Sequence, residues 1–168
     1  MNRMPLPTKA LWKGKSPSFV LIDDMAARIT EKALIYATWK DRLLVFDEPD
    51  FPEILPQIPG GTIEVGETPL DAARREFTEE TGLNCEGTPV FLTTLGYHTT
   101  RGGHSVHYRR HFFHIPLQIT PTDNWLHVEL HPTGSDIPIL LHFFWIDLER
   151  AQELLGYEMA AAVDLLPK

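Results

Sequence analysis

Residues 61–83, GTIEVGETPLDAARREFTEETGL, contain a helix whose beginning and end are both marked in the sequence. Thr68 is a good N-cap, and Pro69 suits the first helical position because proline lacks the N–H that would be unpaired there. Gly82 supplies the left-handed residue that commonly ends a helix. The sequence therefore predicts a helix from about Pro69 to about Thr81.

At about 100° per residue, this helix has three distinct faces. Leu70, Ala73 and Phe77 form an apolar stripe that can pack on a core. The opposite side carries Asp71, which is also at the capping-box position, together with Arg74, Thr78 and Thr81. The third face carries Glu76, Glu79 and Glu80 at spacings i, i+3 and i+4.

The three glutamates on one face need a positive charge among them. Like charges at these spacings repel, and the repulsion grows when the helix is partly buried. A hard divalent cation such as Mg²⁺ or Mn²⁺, which prefers carboxylate oxygens, would remove the conflict. The alternative is a solvated acidic helix face. The preceding Gly60-Gly61, whose backbone can approach a ligand closely, favours the metal site.

The same stretch fits the pattern G-x5-E-x7-R-E-U-x-E-E-x-G-U, where U is a bulky apolar residue, and so resembles the Nudix box. Enzymes with this box hydrolyse a diphosphate bond in nucleotide-like substrates with divalent metals. The resemblance implies that Arg75 holds the carboxylates in place and that Glu67 supports it or reaches a further metal. It implies catalytic roles for Glu67, Arg75, Glu76 and Glu79, and metal binding by Gly61, Glu76, Glu79 and Glu80.

The implied reaction is metal-assisted attack by water on phosphorus, with a carboxylate taking the proton. In this family the base is in the box helix, where Glu76 would serve, or in a later loop. Glu129, in the segment DNWLHVELHP, is the candidate for a later base or for substrate contact. The alternative is that Glu129 is an ordinary strand or turn residue.

The segment from Tyr97 to His114, YHTTRGGHSVHYRRHFFH, holds five of the eight histidines and is predicted to be a hairpin with residues 101–103 at its turn. Alternation along the second strand puts His107, Arg109 and His111 on one face, and Tyr108, Arg110 and His114 on the other. Tyr108, Arg109 and Arg110 are candidate substrate-binding residues. The alternative is a polar outer face of a sheet. A histidine zinc site lacks a recognisable ligand spacing.

The rest of the chain predicts an α+β protein. Its expected architecture, implied by the Nudix resemblance, is an α/β/α sandwich with a mixed twisted sheet and the box helix packed against it. We expect strands over 18–22, 33–39, 43–46, 89–95, 105–119, 125–130 and 139–146, a turn over 40–42, and helices over 147–155 and 157–166.

Length and composition agree with one domain over residues 1–168, of which about the first 15 form an extension. The N-terminus lacks a continuous apolar h-region, and the longest apolar stretch, IPILLHFFWI, is too short to span a bilayer. The lone Cys85 excludes an internal disulfide and fits a reducing compartment. We therefore expect a cytoplasmic protein without a membrane partner.

A formal net charge of −8 argues against a broad nucleic-acid-binding surface. The expected partner is a small nucleoside diphosphate-linked substrate, and the oligomeric state stays open, with a homodimer as one option. Two alternatives to a hydrolase are a non-catalytic nucleotide sensor and an isomerase with the same fold. The isomerase needs a catalytic cysteine, and Cys85 stands in a different place.

Overall fold

Strand β1 (Ile29–Trp39) is central in the sheet of this computed structural model, which describes residues 29–118, 122–130, 132 and 137–167. The other strands are β2 (Arg42–Asp47), β3 (Gly60–Thr62), β4 (Val90–Arg101), β5 (His104–Pro116), β6 (Asn124–Glu129) and β7 (Ile139–Asp147). Their spatial order is β4-β5-β1-β2-β7-β6, and β3 pairs with β1 outside this path. Strands β1 and β5 are parallel, and the other pairings within the described residues are antiparallel. The mixed sheet is as predicted.

Strand β1 is buried on both sides because its central residues are apolar without interruption. Leu34 and Tyr36 belong to a core on one face of the sheet, which the C-terminal segment covers. Ala33, Ile35 and Ala37 belong to a core on the other face, which helix α1 (Pro69–Thr81) covers. The sheet therefore lies between two layers, which confirms the predicted α+β sandwich.

Two tight turns form the hairpins that the sequence predicts, with small differences in their bounds. Strands β1 and β2 are joined at Lys40 and Asp41, with Lys40 at φ 56°. Strands β4 and β5 are joined at Gly102 and Gly103, at φ 57° and 81°. Such positive values at both residues favour glycine in a two-residue hairpin turn. Arg101 was expected in the turn but is the last residue of β4.

Strand β3 was not predicted as a strand, because it is three residues long and contains two glycines. It pairs with β1 through Gly60 opposite Leu34 and Gly61 opposite Ala33. Gly60 has φ 154°, and a side chain there would collide with the carbonyl oxygen of Ala33. The two glycines therefore let β3 lie close to both β1 and helix α1.

The C-terminal segment contains less helix than predicted. A 3₁₀ turn over Leu148–Arg150 leads into the short helix α2 (Ala151–Leu154), and a further 3₁₀ turn covers Val163–Leu165. The 3₁₀ turn and α2 together span most of the first predicted helix, 147–155. The second prediction, 157–166, was wrong because Tyr157 and Glu158 both adopt φ 56°, which no α-helix accommodates, and the N–H of Gly156 before them donates to the carbonyl of Pro56. Residues 157–166 instead form turns that pack on the sheet through the core.

The tyrosine at position 36 attaches this C-terminal segment to β1. Its hydroxyl donates to the carbonyl of Met159 at 2.7 Å and accepts from the N–H of Ala162 at 3.1 Å. Burial raises the pKa of Tyr36, and the hydrogen bond from Ala162 opposes the shift. These two bonds fix the backbone that forms one wall of the site described below.

Two further predictions concern membrane-spanning helices and a strand near the N-terminus. No helix among the described residues is long and apolar enough to cross a membrane. The strand predicted over residues 18–22 lies outside the described residues.

Candidate active site

Helix α1 begins and ends where the sequence predicts. The hydroxyl of Thr68 accepts from the N–H of Asp71 at 3.2 Å and donates to its carboxylate at 2.7 Å. Gly82 adopts φ 71°, and its N–H donates to the carbonyl of Thr78 at 3.0 Å. These caps fix the helix with respect to the chain on both sides and so fix the direction of its glutamates.

One prediction for the faces of α1 was wrong. Thr81 was expected opposite the apolar stripe, yet its side chain is 1% exposed and its hydroxyl donates to the carbonyl of Phe77 at 2.5 Å. Threonine in the last turn of a helix can satisfy its hydroxyl in this way and so be buried. Ala73 and Phe77 pack on the core as predicted.

The guanidinium of Arg75 joins three glutamates to one another. Nε and Nη2 donate to the two carboxylate oxygens of Glu67 at 2.9 and 2.8 Å. Nη1 donates to Glu76 at 2.9 Å and to Glu79 at 3.1 Å, and Nη2 also donates to the carbonyl of Thr62 at 3.0 Å. These hydrogen bonds raise the pKa of Arg75 and lower the pKa of Glu67. The arrangement is the one that the box resemblance implies for Arg75.

Glu76 and Glu80 are buried carboxylates held beside the glycines of β3. The backbone N–H of Gly60 donates to Glu80 at 2.7 Å, and a side chain at Gly61 would overlap the carboxylate of Glu76. Burial raises the pKa of both glutamates, most for Glu80, which is also raised by the charges of Glu129 and Glu76. A cation near these two carboxylates would favour their charged forms.

Strand β6 places Glu129 at the same cluster. The indole N–H of Trp125 donates to the carbonyl of Thr81 at 3.0 Å, and Nε2 of His127 lies 2.8 Å from the carbonyl oxygen of Glu79. Both bonds reach the C-terminal end of α1, and Glu129 follows on the same face of β6. Burial raises the pKa of Glu129, and the neighbouring charges of Glu76, Glu48 and Glu79 raise it further.

The donor set fits a hard divalent cation, although the side chains do not yet converge on one point. No group of three His, Cys, Asp or Glu side chains in the described part of the chain is close enough to hold an ion as it stands. Arg75 engages Glu76 and Glu79, and Gly60 engages Glu80. The carboxylates are adjacent, partly buried and mutually repelling, which is the chemistry that Mg²⁺ or Mn²⁺ would relieve. The carbonyl of Gly61 lies in the same β3 segment.

A cavity of about 430 Å³ lies over the face of the sheet opposite helix α1, and Gly60 of β3 is part of its lining. Gly60 belongs to both regions, because it lines the cavity while its N–H holds Glu80. Three tyrosines supply the aromatic walls, at positions 97, 108 and 157. Polar or charged side chains also line it: Lys32, Glu48, Gln57, Thr99, Thr100 and Arg110. A flat polar group attached to a diphosphate would find both stacking surfaces and hydrogen-bond partners here.

The structure separates the two arginines that the sequence offered together for substrate binding. Tyr108 and Arg110 line the cavity, in agreement with the predicted alternation. Arg109 is on the other face of β5, where it donates to Glu31 at 2.7 Å. Nε2 of His111 lies 2.7 Å from the second oxygen of the same Glu31. Arg109 and Arg110 therefore meet different surroundings although they are neighbours.

The cavity contains residues that the sequence did not single out. Lys32 lies at the start of the buried part of β1, with its ammonium 6.0 Å from the centre of the Tyr108 ring, and its charge opposes the raised pKa of Glu76 and of Glu80. The sequence signal that could have identified Lys32 is a single cation directly before the apolar residues 33–37 of β1. Tyr157 gave none, because it reaches the cavity only through the fold of the C-terminal segment.

His98, His107, His114 and Cys85 neither line the cavity nor belong to the carboxylate cluster. His98 and His107 form an edge-to-face pair with ring centres 4.2 Å apart on the Arg109 side of the hairpin. His114 is buried and lies 2.8 Å from the hydroxyl of Thr38. Cys85 packs behind α1, where burial raises the pKa of its thiol. Cys85 is partly exposed and does not line the cavity, which does not suit the isomerase alternative.

Comparison with known proteins gives the fold and the family. A family model described as the NUDIX domain matches residues 31–164. The structure resembles a MutT NUDIX hydrolase from Burkholderia pseudomallei at 17% identity and TM-score 0.61, with 83% of this chain and 99% of that chain covered. It resembles the mMutator MutT protein from Bacillus halodurans at 20% identity and TM-score 0.52, with 74% and 72% covered. It also resembles a C. elegans Ap4A hydrolase at 17% identity and TM-score 0.54, with 82% of this chain and 96% of that chain covered.

No curated protein sequence matches the chain significantly. The family model nevertheless covers most of the chain, and it includes the helix, the glycines and the strand that carries Glu129. On this evidence the chain belongs to the Nudix hydrolase family.

Proposed function

We propose that the protein hydrolyses the diphosphate linkage of a small nucleoside diphosphate-linked molecule with the help of Mg²⁺, for which Mn²⁺ can substitute. The observation that supports this most directly is the shared position of Gly60. Its N–H holds the buried Glu80, and the same residue lines a cavity with three tyrosines and two cations. Carboxylates for a metal and a pocket for an organic group thus meet at one residue.

In this proposal Glu76, Glu79, Glu80 and the carbonyl of Gly61 hold the metal. When bound, it would neutralise charge on the phosphate oxygens and lower the pKa of the attacking water. Arg75 holds Glu76 and Glu79 in place, and Glu67 fixes Arg75 through two parallel hydrogen bonds. Arg75 and Glu67 therefore act as positioning residues.

The reaction is the addition of water across one phosphorus–oxygen bond. The water oxygen forms a bond to one phosphorus, the bond from that phosphorus to the bridging oxygen breaks, and the bridging oxygen leaves on the second phosphate. The water proton passes to a carboxylate. Glu129 suits this role because burial keeps its pKa above the ordinary value and because it lies by the metal-binding glutamates; Glu76 is the alternative within α1.

The substrate is small and anionic in this proposal. Its non-reacting group would enter the tyrosine-lined cavity, where Tyr108 offers a stacking surface and Arg110 a donor. One of the structural relatives is an Ap4A hydrolase, which supports a nucleotide-linked substrate. The formal net charge of −8 argues against a nucleic acid partner.

The test is product release from a panel of nucleoside triphosphates, ADP-ribose, nucleotide sugars, NADH, coenzyme A and dinucleoside polyphosphates. Each is incubated with Mg²⁺, with Mn²⁺ and with a chelator. We expect cleavage of at least one compound with metal and none with the chelator. Absence of cleavage across the panel, with tight Mn²⁺ binding retained, would contradict the proposal and favour a nucleotide sensor.

A further inference from the structure

The side chain of Arg110 is a buried cation without a carboxylate partner among the described residues. It is 7% exposed, and no described Asp or Glu lies within ion-pair distance of it. Its Nη1 donates to the carbonyl of Tyr157 at 2.6 Å, and its Cζ lies 3.5 Å from the centre of the Tyr97 ring. These contacts fix the guanidinium but supply no full negative charge.

An arrangement of this kind is unfavourable in the absence of an anion. Removing a charged group from water is strongly unfavourable, and hydrogen bonding to a carbonyl and contact with an aromatic face recover only part of that loss. Burial accordingly lowers the pKa of Arg110, although Tyr97 and Glu158 oppose the shift. The neighbouring Arg109, which is exposed and paired with Glu31, shows the ordinary arrangement in the same strand.

A second cation stands next to Arg110 on the same wall of the cavity. Lys32 of β1 is directly opposite Arg110 of β5 in the sheet register, and both line the cavity. Neighbouring strands are about 4.8 Å apart, so the two side chains start from adjacent points. The carboxylate that lines this cavity, Glu48, directly follows β2 and accepts from the amide of Gln57 at 3.2 Å.

We infer that Arg110, together with Lys32, binds a phosphate group of the substrate that is not part of the cleaved linkage. The inference rests on the proposed function and narrows its substrate class. A substrate with only the two phosphates of the cleaved linkage leaves Arg110 unpaired. A nucleoside triphosphate or a longer polyphosphate supplies the further anion, which is matched by the planar fork of the guanidinium.

The kinetic test compares UTP with UDP-glucose, which share the base but differ in phosphate number, for the wild type, Arg110→Gln and Arg109→Gln. Glutamine keeps a donor for the carbonyl of Tyr157 and removes the charge. We expect Arg110→Gln to lower kcat/KM for UTP by roughly 10- to 100-fold, the size of a lost charge-assisted hydrogen bond. We expect less than about a threefold change for UDP-glucose, and no change for either compound in Arg109→Gln.

An equal loss on both compounds would overturn the inference, because it would show a structural or base-binding role for Arg110. A wild-type preference for UDP-glucose would also overturn it. If Arg110→Gln fails to fold, Arg110→Lys carries the same test, since it keeps the charge but loses the fork. Its loss of kcat/KM for UTP should be smaller than the roughly 10- to 100-fold expected for Arg110→Gln, and kcat/KM for UDP-glucose should again change less than about threefold.

A binding measurement separates failure of this inference from failure of the proposed hydrolase. Inorganic tripolyphosphate is titrated into the metal-free protein by calorimetry in the presence of a chelator. We expect Arg110→Gln to weaken binding by roughly 10- to 100-fold and Arg109→Gln to leave it unchanged. If the wild type cleaves nothing in the panel yet shows this dependence, the hydrolase proposal fails and the phosphate subsite stands. Binding that is insensitive to Arg110 would overturn the subsite.

Discussion

Arg75 and Arg110 lie in contrasting surroundings. Arg75 donates five hydrogen bonds, to three glutamates and a carbonyl, and these raise its pKa. Arg110 is more deeply buried, has one carbonyl and one tyrosine face as partners among the described residues, and has a lowered pKa. The first lies in a network that is complete without substrate, whereas the second lacks a charge that a substrate can bring.

This contrast suggests that the Arg75 region determines the hydrolytic reaction and that the Arg110 region determines which substrate is bound. The Arg75 region is built from one helix and the strand before it, so its geometry is determined within about twenty residues. The Arg110 region combines β1, β4, β5 and the C-terminal segment. We therefore expect substitutions in the first region to lower kcat and substitutions in the second to raise KM or change selectivity.

The largest effect is expected for Glu80→Gln. The change removes one charge from the carboxylate cluster but keeps an acceptor for the N–H of Gly60, so kcat with Mg²⁺ should fall by about 1000-fold while the protein stays folded. Steady-state kinetics and thermal unfolding measure the two quantities. Glu86→Gln, at an exposed position after α1, is the matched control. Unchanged turnover in folded Glu80→Gln would exclude this residue from the site.

Gly61→Ala tests how closely β3 must approach α1. The added methyl group would overlap the carboxylate of Glu76, so the carboxylate must move and kcat should fall by about 100-fold. Gly96→Ala is the control, since the nearest atom to a methyl group there is 3.8 Å away, in the ring of His98. A crystal structure or kinetic assay showing Glu76 undisturbed and kcat retained would contradict the close-approach argument.

Tyr108→Leu tests the prediction that the Arg110 region affects substrate binding and not turnover. Loss of the aromatic surface in the cavity should raise KM by about 10-fold and leave kcat within about twofold, because stacking contributes equally to bound substrate and transition state. Phe91→Leu removes a partly exposed ring that does not line the cavity and serves as the control. A fall in kcat without a change in KM would remove the distinction between the two regions.

The smallest effect concerns His114, which belongs to neither region. Burial lowers the pKa of His114, so the folded state binds fewer protons than the unfolded state. Stability from this residue is present above the ordinary value of 6.5 and is lost as the pH falls through the lowered folded pKa. Urea unfolding between pH 5 and pH 8 should show a shallower pH dependence for His114→Gln than for the wild type. The exposed His104→Gln should match the wild type.

The sequence predictions were more accurate for the Arg75 region than for the Arg110 region. The ends of α1 were predicted to the residue because Thr68 and Gly82 act on their own helix. Alternation along β5 correctly separated Arg109 from Arg110, but it could not show which face carries the cavity. The position of the cavity depends on the C-terminal segment, where Tyr157 and Glu158 both adopt φ 56°. No local sequence pattern predicts the turn at these two residues. Lys32 was missed because its neighbours in the site are distant in sequence.

The bonds from the hydroxyl of Tyr36 to the C-terminal segment involve only main-chain atoms of that segment, at Met159 and Ala162. Arg110 likewise bonds to the carbonyl of Tyr157 rather than to its ring. At these points the segment is held through main-chain atoms, while its apolar side chains pack on the core. An engineer could exchange the residue at position 157 to reshape one end of the cavity while leaving the hydrolytic chemistry intact, and a library limited to this position would be a compact starting point for new substrate preferences.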